Sequence, residues 1–221
     1  MTAADVLRPP AAPAGTVRRA PAGIRLPWLH LRTRRVPAGI LALAACGALL
    51  RAALRWHWTF DTGPYAQQVP LIIEAGAAAL IALTAHSPFG EAERATGRWL
   101  PYLRLLTAGG LCALAVGLLQ LGVAGASLND GFPVLARNVI GITGIGLLCS
   151  LVTGGLLAWT LPLGYMMFCQ YALLELWRAP WAWPVRPPAD RGAWIVASLV
   201  LGAGLVLFTV RGPRTRLSDD S

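Results

Sequence analysis

The sequence predicts an all-α membrane protein whose chain crosses the bilayer six times. Of its 221 residues, 56% are hydrophobic and only 13% are charged, whereas an ordinary soluble domain carries about 25% charged residues. The apolar residues also gather into runs of roughly 18 to 26 residues, which is the length that a helix needs to cross a hydrocarbon layer. Arginine, tryptophan and turn-forming residues mark the ends of these runs, as they do at membrane interfaces.

The chain begins with two segments that are not spans. Residues 1–22 are rich in proline and alanine, and proline at this density prevents a stable helix, so we expect a disordered tail without a signal peptide. Residues 23–35 combine Trp28 and several leucines with basic side chains. This composition suits a segment lying in the membrane interface, and it equally suits an ordinary basic flank before the first span.

Six apolar runs make up a predicted transmembrane domain over residues 36–210. The predicted spans are, in chain order, 36–54, 69–85, 100–127, 137–158, 161–176 and 193–210. The connection between the fourth and fifth spans is very short, so the chain turns straight back there. Residues 177–188 hold three tryptophans and four prolines, which excludes a regular span and suits a structured cap half-dipped into the interface. Residues 211–221 form a polar tail.

The distribution of arginine predicts the orientation of these spans. Six spans place both termini on the same side of the membrane. Of the 19 basic residues, all of them arginine, thirteen lie on the side of the termini and six on the other side. Because positively charged residues concentrate in cytoplasmic segments, we expect a multi-pass protein of the cell membrane with both termini and the loop 87–99 in the cytoplasm.

The charge and the missing lysine exclude several classes of function. A net charge of +9 would suggest nucleic-acid binding in a soluble protein, but here the arginines flank apolar runs, so we expect no nucleic-acid partner. A P-loop needs a lysine to reach the phosphates, and Schiff-base chemistry needs one as well. We therefore expect that this chain does not hydrolyse ATP and binds no cofactor of its own.

The residues that usually carry catalysis or metal binding show no suitable pattern. The three histidines fall on different sides of the predicted topology and have no ligand spacing, and no nucleophile elbow is present. We predict neither a catalytic residue nor a metal site. Each cysteine stands alone within an apolar run, which predicts buried free thiols that act as small hydrophobes. These cysteines are Cys46, Cys112, Cys149 and Cys169.

One carboxylate, Glu74, lies inside a predicted span. An ionisable residue in a span is costly and is a functional candidate by default. Arg51, near the end of the preceding antiparallel span, lies at a similar depth, so we predict a structural ion pair between Arg51 and Glu74. A functional carboxylate is the alternative.

The predicted fourth span is rich in small residues, among them Gly146 and Ser150 four positions apart. Helices with such faces can pack at close backbone distance. We expect this face to pack within the chain, and a dimer interface or the lining of a pathway is the alternative.

Residues 87–99 form a charged segment between the second and third spans. Opposite charges three and four positions apart would stabilise a short helix there by a few tenths of a kcal/mol, and the exposed charges would be free to pair with another protein. A solvated cytoplasmic loop is the alternative. The charged residues that we predict to contact a partner are Glu91, Glu93, Arg94 and Arg98.

Phe89, Glu91, Glu93 and Gly97 resemble the segment between the second and third spans of permease subunits of ABC-2 type exporters. In that family the segment is a coupling helix that docks into a groove of the nucleotide-binding subunit. The resemblance implies the permease half of an ATP-driven exporter, with a second permease chain, identical or different, and separate ATPase chains as partners. It extends to the six spans, the cytoplasmic termini, the basic segment before the first span and the capped outer loop.

Two other classes of membrane protein fit the same sequence. A non-transporting scaffold or sensor subunit would use residues 87–99 for binding without ATP-linked transport. A proton-coupled secondary transporter would use Glu74 or Glu175, but both are predicted near helix ends rather than at the middle of the membrane.

Overall fold

The computed structural model describes residues 36–56, 68–86, 100–125, 131–175 and 181–211. Within this part of the chain the regular structure is entirely helical, which confirms the predicted all-α class. We number its six α-helices α1 (Val36–Arg55), α2 (Gln68–Ala85), α3 (Leu100–Val123), α4 (Gly131–Thr153), α5 (Thr160–Leu174) and α6 (Arg191–Arg211). Two short 3-10 helices, Gly155–Leu157 and Trp183–Val185, flank α5.

Five of these helices are long and apolar enough to cross a bilayer: α1, α2, α3, α4 and α6. The chain therefore has the features of a multi-pass membrane protein. Helix α5 has 15 residues, so its axis rises only about 22 Å, short of the hydrocarbon thickness of about 30 Å. The predicted fifth span, 161–176, is thus not established as a span, and neither the count of six spans nor the cytoplasmic position of the termini goes beyond a prediction.

Helix α4 is the centre of the bundle. It packs against α2, α3, α5 and α6, and it is the most buried of the five candidate spans. Helix α1 lies to one side and packs on α2 and α3. We call the end of the bundle at which α2, α4 and α6 begin the cap end, because residues 181–190, just before α6, contact α4 there.

Glycines let α4 approach its neighbours closely. A Cβ atom on Gly144 would lie 2.6 Å from the backbone nitrogen of Leu201, and one on Gly204 would lie 2.8 Å from the carbonyl oxygen of Gly144. Helix α4 thus meets α6 backbone to backbone, as small residues permit in membranes. Gly146 likewise faces the side chain of Ala82, so this position of the small-residue face packs within the chain, as we expected.

The N-terminus of α4 differs from the prediction. The helix begins at Gly131 and not at residue 137, because Pro133 sits in the first turn, where the missing N–H of proline costs no helical hydrogen bond. Arg137 and Asn138 consequently lie inside the helix instead of opening it. At the other end α4 stops at Thr153 rather than near residue 158, and Gly154 breaks it with a φ of 82°.

Large apolar side chains project outward from the helices that surround α4. They are exposed on α1, α3 and α6 in particular, where a soluble protein would seldom leave so many. In a bilayer the acyl chains of the lipids cover such faces. Examples are Leu41, Leu106, Leu121, Leu199 and Val210.

Candidate functional site

A polar cluster is buried between α2 and α4 near the cap end. Its members are Glu74 on α2 and Arg137 and Asn138 on α4, whose exposed fractions are 3%, 0% and 3%. Each lies six or seven residues from the start of its helix, which is about 9 to 10 Å along the axis. The three side chains are buried because α4 is surrounded by other helices. Polar groups at such depth are costly unless they are bonded.

The carboxylate of Glu74 is bonded to an amide. Asn138 Nδ2 donates to Glu74 Oε2 at 2.9 Å, and both residues are buried. The other polar atom of the same amide, Asn138 Oδ1, is buried and accepts no hydrogen bond within the described part of the chain. A charge-assisted hydrogen bond contributes about 1.5 to 3 kcal/mol, whereas removing a carboxylate from water costs several kcal/mol. The amide alone therefore does not offset the burial of an ionised Glu74.

Arg137 holds the loop that covers this end of the bundle. Its two terminal nitrogens donate to the carbonyl oxygens of Pro187 and Arg186 at 2.8 and 2.9 Å. We call residues 181–190 the cap. The forked guanidinium satisfies two adjacent carbonyls at once, which lysine could not do with the same geometry. Arg137 is thus a buried cation whose hydrogen bonds fasten the cap to α4.

Aromatic packing fixes the cap from the other side. Trp183 is buried, and a Cβ atom on Gly141 of α4 would lie 2.7 Å from its indole ring. Tyr165 of α5 packs against Trp183 with ring centroids 4.7 Å apart, and its hydroxyl donates to the carbonyl of Trp181 at 2.6 Å. The absence of a side chain at Gly141 therefore makes room for the indole that seats the cap. The described part of the predicted cap, residues 181–188, thus packs against α4 and α5, while its position in the membrane interface stays a prediction.

The last residue of the cap, Asp190, is the N-cap of α6. Asp190 Oδ1 accepts a hydrogen bond from the backbone N–H of Ala193 at 3.2 Å, which is the N-cap geometry for α6. Arg186 Nη1 donates to Asp190 Oδ2 at 2.7 Å. The bond from Ala193 and the positive charge of Arg186 lower the pKa of the Asp190 carboxyl. Asp190 thus joins the cap to the N-terminus of α6.

The predicted ion pair between Arg51 and Glu74 is not formed. Glu74 faces Asn138 of α4, as described above, and Arg51 is exposed and donates to the carbonyl of Leu121 on α3 at 3.3 Å. Glu74 thus contacts α4, whereas Arg51 contacts α3. Helix α2 is apolar on nearly all sides, so its sequence carries no information about which face its carboxylate takes.

The predicted docking segment lies outside the described residues. Residues 87–99 include Phe89, Glu91, Glu93, Arg94, Gly97 and Arg98. Their contact with a partner stays a prediction, as does the disordered tail over residues 1–22 and the interfacial segment over 23–35.

Sequence reasoning missed Arg137 and Asn138 as functional candidates. It placed them at the start of a span, where basic and amide residues are common. The sequence nevertheless held a usable feature, since a proline three residues into an apolar run is compatible with the first turn of a helix. With the helix started at Gly131, the two residues become polar groups inside a span, which are functional candidates by default.

The described residues hold no other arrangement that suggests chemistry. Among them no group of three or more His, Cys, Asp or Glu side chains could hold a metal ion. All four cysteines are free thiols, and Cys149 is hydrogen-bonded at the α4–α5 turn, where its sulfur donates to the carbonyl of Leu157 at 3.4 Å. Three of the cysteines are buried as predicted, whereas Cys46 is half-buried; Cys46, Cys112 and Cys169 pack in the apolar core.

No protein-family model, curated protein or solved structure matches this chain.

Proposed function

We propose that this protein is the transmembrane subunit of an ATP-driven exporter, whose ATP hydrolysis takes place on a separate chain. The observation that carries the proposal is the charged segment 87–99. It connects two candidate spans, α2 and α3, and it resembles the coupling segment of ABC-2 type permeases. A chain without lysine needs a partner for any P-loop chemistry.

Under this proposal the ATPase pushes on residues 89–98. ATP must stabilise one arrangement of the spans over the other, because a ligand shifts an equilibrium only through differential affinity. The spans would then rock between inward-open and outward-open states together with those of a second permease chain. A hydrophobic or amphipathic cargo passing along the dimer interface suits the apolar spans.

The packing of the bundle offers a physical route for such a movement. Helix α2 leads directly into the docking segment, and α2 packs tightly against α4. Arg137 and Gly141 of α4 in turn contact the cap. Close packing without voids transmits displacement instead of absorbing it, so a push at the end of α2 would reach the far end of the bundle.

The decisive experiment is co-purification of the membrane protein with a candidate ATPase. The double charge reversal Glu91→Arg plus Glu93→Arg is expected to reduce the recovered complex at least tenfold. A matched control, Asp219→Arg plus Asp220→Arg, reverses two charges in the C-terminal tail and is expected to leave recovery unchanged. If the complex survives the first reversal undiminished, residues 87–99 do not dock the ATPase.

A flux measurement separates an exporter from a scaffold. Proteoliposomes that contain the complex and a fluorescent amphipathic probe are expected to move the probe when ATP is added. Binding of the ATPase without ATP-linked movement of any probe would favour a non-transporting subunit.

A further inference from the structure

The Glu74–Asn138 contact leaves one buried atom unexplained. The amide of Asn138 presents a donor, Nδ2, and an acceptor, Oδ1, on the same carbon. Nδ2 is bonded to Glu74 at 2.9 Å, but Oδ1 is buried without a partner among the described residues. Buried polar atoms are nearly always hydrogen-bonded, so an orphaned acceptor beside a carboxyl group requires an explanation.

Among the described residues, the charged groups around Glu74 do not pair with it directly. From α4, Arg137 acts on Glu74 electrostatically, but it donates both terminal nitrogens to cap carbonyls. From α1, Arg51 is exposed and bonded to Leu121 of α3. Arg137 in turn interacts electrostatically with Asp190 and Arg186 of the cap and with Tyr165 of α5. The group that touches the Glu74 carboxyl is thus a neutral amide, although a cation lies one residue away along α4.

The protonation state of Glu74 determines whether Asn138 Oδ1 can have a hydrogen-bond donor. A carboxylate only accepts hydrogen bonds, whereas a carboxylic acid both donates and accepts. An ionised Glu74 therefore leaves Oδ1 unpartnered beside a negative oxygen. A protonated Glu74 can accept from Nδ2 with one oxygen and donate to Oδ1 with the other, which gives each of these four polar atoms a hydrogen bond. It also removes the cost of an ionised group within a span.

We propose that Glu74 and Asn138 form a proton-binding site beneath the cap, in which Glu74 is held as a neutral carboxylic acid that exchanges two hydrogen bonds with the amide. Its ligand is the proton alone. This inference does not depend on the export function, since it rests only on the buried contact between α2 and α4. It gives a reason for the buried carboxyl group at position 74. The predicted ion pair with Arg51 does not provide one, because that pair is not formed.

The test is infrared spectroscopy of the full chain in lipid nanodiscs, with glutamate labelled by ¹³C at the side-chain carboxyl. The chain has four glutamates, which are Glu74, Glu91, Glu93 and Glu175. At about pH 7 exposed glutamates, which titrate near 4.3, are ionised. We expect one isotope-sensitive carboxylic-acid C=O band at this pH, absent from Glu74→Gln and retained in Glu175→Gln, because Glu175 is exposed.

A second variant keeps the proposal testable if Glu74→Gln does not fold. Asn138→Leu removes the amide, so the C=O band is expected to move to higher frequency as the acid loses its hydrogen-bond partner. The absence of any isotope-sensitive acid band in the wild-type protein at about pH 7 would overturn the proposal. A band that persists in Glu74→Gln, or that does not move in Asn138→Leu, would overturn it as well.

Discussion

Helices α4 and α6 begin at the same end of the bundle and pack against each other along their length. They differ in where their charged residues lie, which is inside the helix in α4 and at the helix ends in α6. Of the most apolar stretch of each helix, 67% is buried in α4 and 22% in α6. Helix α4 carries Arg137 and Asn138 in its interior, whereas the arginines of α6 stand at its two ends. A span can hold charged and amide groups where protein surrounds it, because only protein partners can replace water there.

The largest expected effect comes from removing the buried cation of α4. Arg137→Ala deletes both hydrogen bonds to the cap carbonyls, and a hydrogen bond that involves a charged group contributes about 1.5 to 3 kcal/mol. We expect a large loss of thermal stability for the detergent-purified protein, measured by intrinsic tryptophan fluorescence.

The matched control for Arg137 is Arg191→Ala. Arg191 is exposed at the first position of α6, so its loss should change the stability by no more than about 0.5 kcal/mol. Equal melting temperatures for the two variants would contradict the role of Arg137 in fastening the cap.

A smaller effect is expected where the two helices touch. Gly144→Ala places a Cβ atom 2.6 Å from the backbone of α6, and forcing packed elements apart costs about 1 to 3 kcal/mol. The matched control is Gly202→Ala on α6, where a Cβ would meet nothing within 4 Å. We expect destabilisation by the first substitution only, measured as a shift in melting temperature. A similar shift in both variants would mean that backbone contact does not govern the α4–α6 packing.

The smallest effect concerns the N-terminus of α6. Because the folded-state pKa of Asp190 is lowered, its carboxylate stabilises the fold above the pKa of the unfolded chain, about 3.9. This contribution is lost as the pH falls through the lower pKa of the folded state. Asp190→Asn keeps an N-cap residue but loses the negative charge, so it should melt slightly below the wild type at neutral pH.

The pH series distinguishes the carboxylate of Asp190 from a simple cap. Below about pH 4 the wild type is expected to lose the small advantage that it holds over Asp190→Asn. A difference between the two proteins that is independent of pH would show that Asp190 acts through its cap hydrogen bond and not through its charge.

Sequence patterns predicted the helices better than their contacts. The first, second and sixth predicted spans agree with α1, α2 and α6 to within two residues at each end, since long apolar runs bounded by arginine, tryptophan and proline leave little freedom. The start of α4 was wrong by six residues because Asn129 to Pro133 were interpreted as a turn. Helix α5 is too short to be counted among the candidate membrane spans.

The sequence by itself determined that this chain is a helical membrane protein, helical throughout the regular structure of its described residues, with single free cysteines and no lysine chemistry. Only the tertiary structure decided that Glu74 faces Asn138 instead of Arg51, and that Arg137 reaches from α4 to the cap. The physical reason is that helices such as α2 and α4 are apolar nearly all around, so the sequence has no amphipathic pattern to fix their rotation. That rotation comes from close glycine contacts and from the pairing of the few polar groups inside the bundle.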